Sequence, residues 1–197
     1  MTRVYLVRHA THGLVDKALA GRMDGVHLSD EGRTQAARLS RHFADAAVDR
    51  ILSSPLERCR ETAEAIAAGC GRDVEVEPAL NEIDCGAWTG LDFAALSDDP
   101  RWHQWNSERE RHAIPEGEAV QDVQARVMPF IERLQAEDRG PTVLVSHSDV
   151  IKVVALTLIG APLGRYSHIA VDPASVTTLD LWPGGGKVVR LNQEAGA

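Results

Sequence analysis

The chain has 197 residues, 44% of them hydrophobic and 25% charged, the make-up of one ordinary globular domain large enough to bury a core without disulfides or a structural metal. Its formal net charge is -8, which leaves no broad basic surface for nucleic acid, so any bound anion must meet a local cluster of positive charge. Cys59, Cys70 and Cys85 are an odd number of cysteines without CxxC or Cys/His ligand spacing, which points to reduced thiols and away from a zinc site.

Residues 4–7, Val-Tyr-Leu-Val, read as a buried strand that stops on Arg8 and His9. A strand beginning this early leaves no room for a secretory leader, and no apolar run reaches the length of a membrane span, so a cytoplasmic protein is expected. Residues 10–28 are rich in glycine and polar side chains and read as a loop. Ser29, Asp30 and Glu31 then open a helix that runs to about 47, with Ala36, Leu39 and Phe43 on one face.

The next unit repeats the pattern. A short strand at 50–52 leads into Ser53 and Ser54 as a cap, Pro55 in the first turn, and a helix over 56–68. Residues 74–76 alternate as a strand. From about 78 to 117 the pattern breaks up around Gly86, Gly90 and three tryptophans, with one short helix expected; long irregular segments of this kind commonly serve as lids or binding loops. Trp102 and Trp105 fit either packing or substrate contact.

Order returns over 118–136, where Val120, Val123, Val127, Ile131 and Leu134 form a helical stripe. A second buried strand at 142–145 is followed by Ser146 and His147, then by an apolar helix over 150–159. Two late strands, 175–182 and 187–191, flank the turn Pro183-Gly184-Gly185-Gly186. Strands alternating with helices predict an α/β fold whose mostly parallel sheet is covered on both faces, with ligands bound beyond the carboxyl ends of the strands.

Arg8-His9, the stretch Ser54-Pro55-Leu56-Glu57-Arg58, Glu82, and Ser146-His147 all fall at strand ends or helix starts. Two histidines, two arginines and a carboxylate suit metal-free phosphoryl transfer. A histidine can attack phosphorus, cations can neutralise the equatorial oxygens, and an acid can protonate the departing alkoxide. Each residue also has a plainer reading: Arg58 could pair with Glu57, Glu61 or Glu64 on a helix surface, and Glu82 could be a surface carboxylate.

Six segments in order, "RH" (8–9), "GRMDGVHLSDEGRTQA" (21–36), "SSPLERCRETA" (53–63), "NEIDCGAWTG" (81–90), "PEGEA" (115–119) and "SHSDVIK" (146–152), resemble the histidine phosphatases of the phosphoglycerate mutase superfamily over nearly the whole chain. The resemblance implies a single domain over 1–197, a three-layer α/β/α sandwich with a lid or substrate-binding insertion at about 78–117. It implies His9 as the phosphorylated nucleophile, Arg8, Arg58 and His147 around the phosphate, Glu82 as proton donor, and further phosphate contacts from Arg22 and Ser148. No metal or organic cofactor is implied.

The function implied is a metal-independent phosphomonoesterase acting on a small phosphorylated metabolite through a phosphohistidine. Its alternatives are a phosphoglycerate mutase-type transfer and a catalytically silent module that binds a phosphorylated ligand. The partner expected is a small-molecule phosphate ester, with neither nucleic acid nor membrane; a homodimer is the default for a soluble oligomer. Two departures bear on substrate: Val15 stands where the family has an asparagine, unless the loop is realigned, and Ser148 stands where it has a glycine.

Overall fold

The structure, a computed structural model, describes residues 1–137 and 139–196, so positions 138 and 197 of the expected 1–197 domain lie outside the described residues. Six strands form one sheet: β1 (Thr2–Arg8), β2 (Arg50–Ser53), β3 (Val74–Val76), β4 (Thr142–Ser146), β5 (Ser175–Trp182) and β6 (Gly185–Glu194), in the order β3-β2-β4-β1-β5-β6. The pairs from β3 through β1 are parallel, and β5 is antiparallel to both β1 and β6. The mostly parallel sheet is therefore observed, with one reversed strand.

Period-two alternation explains the layers. Val4 and Leu6 of β1 join one core with α5 (Val120–Ala136) and α6 (Ser148–Leu158), whereas Val7, Ile51, Val143 and Val145 join a second core with α1 (Asp30–Ala44) and α2 (Glu57–Cys70). Helices thus cover both faces. The irregular region packs into the first core, with Trp88 and Trp105 buried to 1% and 2% exposure. It contains two short α-helices, α3 (Phe93–Ser97) and α4 (Pro100–Ser107), where the sequence suggested one.

Local signals were obeyed at α1, where Ser29 caps the helix by accepting from the Gly32 N–H, an interaction worth about 1 kcal/mol. They were not obeyed at α2. Its N-cap is Leu56, with no side-chain cap, and the Ser54 hydroxyl expected there lies 2.8 Å from His147 Nε2 and only 3.5 Å from the Leu56 N–H. Helix α5 begins at Val120 rather than 118 because the Glu118 backbone is paired with Asp84 and Ile114, and the Ala119 N–H is capped by the Asp122 carboxylate. β6 takes in two of the turn glycines, leaving Pro183-Gly184 as a two-residue turn. Among the described residues no helix is long and apolar enough to cross a membrane.

Candidate active site

Strand order explains how distant motifs meet. β1 and β4 are parallel neighbours with Arg8 opposite Ser146, and the backbone N–H of His9 donates to the Ser146 carbonyl at 2.9 Å. β2 lies on the other side of β4, with Ser53 opposite Val145. Three carboxyl ends therefore stand in a row, and the residues that follow them are His9, His147 and the start of α2, which carries Arg58.

His9 is 3% exposed. Its Nδ1 lies 2.9 Å from the Ala10 carbonyl, and a carbonyl only accepts, so Nδ1 carries the proton and Nε2 presents a lone pair. Burial first, then the Arg58 and Arg8 charges, hold the ring pKa well below its ordinary value. A neutral imidazole with a defined tautomer is the form a nucleophile requires.

The arginines beside it are incompletely satisfied. Arg58, 1% exposed, donates from Nη2 to the Gly21 carbonyl at 2.7 Å, while its Nε and Nη1 are buried without a hydrogen-bond partner. The solvated pairing with neighbouring glutamates is not formed. Arg8 donates from Nη1 to the Val171 carbonyl at 2.7 Å, and its Nε is also buried and unpartnered. Unpaired buried donors on cations are costly unless an anion completes them.

His147 is fully buried, its ring 5.1 Å from that of His9. Nε2 lies 2.8 Å from the Ser54 hydroxyl, and Ser54 donates onward to the Asn81 side-chain oxygen at 3.4 Å. The tautomer that satisfies this chain has its proton on Nε2, leaving Nδ1 to accept from Arg58 Nη2 at 3.3 Å. Burial and the Arg58 charge lower the pKa of this ring too. Cys59 packs against the same ring, and burial pushes its thiol pKa up, so it is inert filler here.

Glu82 Oε2 lies 3.5 Å from His147 Nδ1, and its side chain is 14% exposed. Burial and, second, the Asp149 charge raise its pKa to about 7, so the carboxyl holds a proton where an ordinary glutamate would not. Its backbone is clamped: the Glu82 carbonyl accepts from Arg22 Nε at 2.8 Å and from Arg126 Nη2 at 3.0 Å. Glu118 ties both arginines together, at 2.9 Å to Arg22 and 3.2 Å to Arg126, and accepts the Asp84 N–H. Two glycines permit this close approach, since a Cβ on Gly86 would meet the Pro115 carbonyl at 2.2 Å and one on Gly117 the Asp84 carbonyl at 2.3 Å.

This placement corrects one expectation. Arg22 does not face the phosphate site: its guanidinium is taken up by the Glu82 carbonyl, Asp84 and Glu118. It holds the Glu82 backbone instead. Ser148, at the first position of α6, does line the cavity along with Arg8, His9, Arg58 and Glu82. Trp102 and Trp105 form an edge-packed cluster with Trp88 rather than lining the site.

The cavity holds about 200 Å³ and shares Arg8, His12, Val15 and Asp16 as wall residues with an outer cleft of about 570 Å³. Sequence reasoning assigned no role to His12 or Asp149, both of which line the cavity. Nor did it assign one to Arg126, whose position on the polar side of the α5 stripe was its only signal. Among the described residues, no three His, Cys, Asp or Glu side chains are grouped as metal ligands.

The arrangement can hold a tetrahedral dianion against two guanidinium groups, with a neutral imidazole to attack it and a protonated carboxyl nearby. The chain matches the histidine phosphatase superfamily (branch 1) over residues 4–194. It is similar to the solved mycobacterial glucosyl-3-phosphoglycerate phosphatase, at 27% identity and TM-score 0.87 over 97% of this chain and 98% of that one. It is also similar to the alpha-ribazole phosphatase from Shigella flexneri, at 29% identity and TM-score 0.87 over 98% and 97%. The "Probable phosphoglycerate mutase GpmB" of Escherichia coli O1:K1 / APEC is 29% identical over 199 residues, covering 96% of this chain and 91% of its own. With the sequence matched almost end to end and the fold shared by phosphatases, this chain belongs to the histidine phosphatase superfamily.

Proposed function

We propose that the protein is a metal-independent phosphomonoesterase acting on a small phosphorylated metabolite through a phosphohistidine on His9. The observation that carries this reading is the pairing of an accessible lone pair on His9 with buried, unpartnered donors on Arg58 and Arg8. Those donors lack only an anion, and the phosphoryl oxygens supply it.

In the first step His9 Nε2 attacks phosphorus, forming the N–P bond as the P–O ester bond breaks, and Glu82 gives its proton to the departing alkoxide. In the second, water attacks phosphorus, the N–P bond breaks, and the Glu82 carboxylate takes the proton from water. Inorganic phosphate leaves, and both groups are restored. Arg58 and Arg8 neutralise the equatorial oxygens throughout. The dianion also places negative charge beside His147, which favours proton uptake by that ring on binding.

Rapid quenching during turnover of a ³²P-labelled ester tests the covalent step. A base-stable, acid-labile label that disappears with turnover in His9→Ala is expected. Label persisting on that variant moves the nucleophile elsewhere. An isomerised ester with little phosphate release identifies a mutase, and no turnover of para-nitrophenyl phosphate identifies a silent binding module.

A further inference from the structure

The walls beyond the phosphate site differ in character from the site itself. Val15, Leu19 and Phe93 supply apolar surface, and Asp16 and Asp149 supply carboxylates. Asp16 sits at φ +59°, a left-handed conformation that aspartate tolerates, and its carboxylate makes no hydrogen bond or ion pair among the described residues. Asp149 is 3.6 Å from Arg109, whose guanidinium is itself stacked over Trp105 at 3.6 Å and Tyr166 at 4.0 Å and does not line the cavity.

The cavity's cations are thus Arg8 and Arg58. Arg58, 1% exposed, lines the cavity with two unpartnered nitrogens, and on the proposed reading the phosphoryl dianion would take up both arginines. Lys17 lines only the outer cleft, where its ammonium donates to the Gly13 carbonyl at 3.1 Å. A carboxylate carried by the leaving group would therefore lose water and gain Asp16 and Asp149 as neighbours with no cation to answer it. A hydroxyl or an ammonium would find acceptors in the same place.

We infer that this pocket selects phosphate esters of neutral or cationic alcohols and discriminates against esters whose leaving group bears a second anion. The inference rests on the phosphatase reading and adds a substrate class to it. The names of similar proteins point in both directions, since some act on phosphoglycerate derivatives, so the selection follows from this chain's own rim.

Two matched pairs test it. Glycerol 3-phosphate differs from 3-phosphoglycerate by a hydroxymethyl in place of a carboxylate, and phosphoethanolamine differs from O-phosphoserine by the absence of one. At equal ionic strength, kcat/KM should favour the first member of each pair by about ten-fold or more. Asp16→Asn, which keeps the left-handed backbone accessible, should narrow both ratios about three-fold, and Asp149→Asn should narrow them further. Where an ester is not turned over, its Ki against para-nitrophenyl phosphate gives the ratio. Equal or reversed preference, or ratios unmoved by both variants, overturns the inference while leaving the phosphatase intact. No phosphate released from any of the four esters or from the aryl phosphate overturns the phosphatase reading and the selectivity with it.

Discussion

Arg22 donates to the backbone carbonyl of Glu82 at 2.8 Å, so an arginine sixty residues away in sequence fixes the backbone that carries the carboxyl proposed as proton donor. Glu118 holds that arginine and Arg126 together. The acid's position is a property of this network.

Removing the network should therefore damage proton donation selectively. Glu118→Gln and Arg22→Ala should each lower kcat on an alkyl phosphate about ten-fold, the scale of a misplaced catalytic group, and change KM little. With para-nitrophenyl phosphate, whose leaving group needs no proton, the loss should be small. Steady-state kinetics on both substrates make the check; equal losses with a raised KM in Arg22→Ala would return Arg22 to the phosphate site.

The raised pKa of Glu82 sets a pH dependence. The acid is competent while it holds its proton, so kcat/KM on an alkyl phosphate should fall as pH rises through about 7. His9, neutral well below its usual pKa, does not limit the neutral range. Glu82→Gln should lose on the order of 10²–10⁴-fold on alkyl phosphates, much less on the aryl ester, and should lose the alkaline limb. An unchanged limb would assign it to another group.

The same shift bears on stability. A carboxyl whose folded pKa lies above its unfolded value favours folding less as pH rises, and the penalty accumulates between about 4.5 and 7. Glu82→Gln should thus be more stable than the parent at pH 8, by about 1–3 kcal/mol after allowing for partial solvation, and nearly equal to it at pH 4.5. Thermal melts at the two pH values measure this. A variant less stable at both would mean that the carboxylate is needed for packing.

Much of this molecule is legible in its sequence. The stop of an apolar strand on Arg8-His9, the Ser29 cap, the α5 stripe and the second buried strand before His147 are local patterns, determined by residue order and by periods of two and 3.6. They specified the layered α/β fold and brought Arg8 and His9 to the cavity, with His147 fully buried beside His9. Ser146-His147 and Arg8-His9 read as strand ends, and parallel pairing in register made them neighbours.

What the order of residues did not determine is the supporting set. Ser54 is not the N-cap of α2, and its hydroxyl is shared with His147, 93 positions away; Arg22 lies away from the cavity because Glu82, Asp84 and Glu118 converge on it. Asp149 faces the cavity only because α6 starts where β4 ends beside β1. Each is a contact between segments with no shared period. Local sequence carries the propensity of each side chain, but the choice among its possible partners was settled by burial: a polar group excluded from water binds whichever complementary group the packed chain brings within reach.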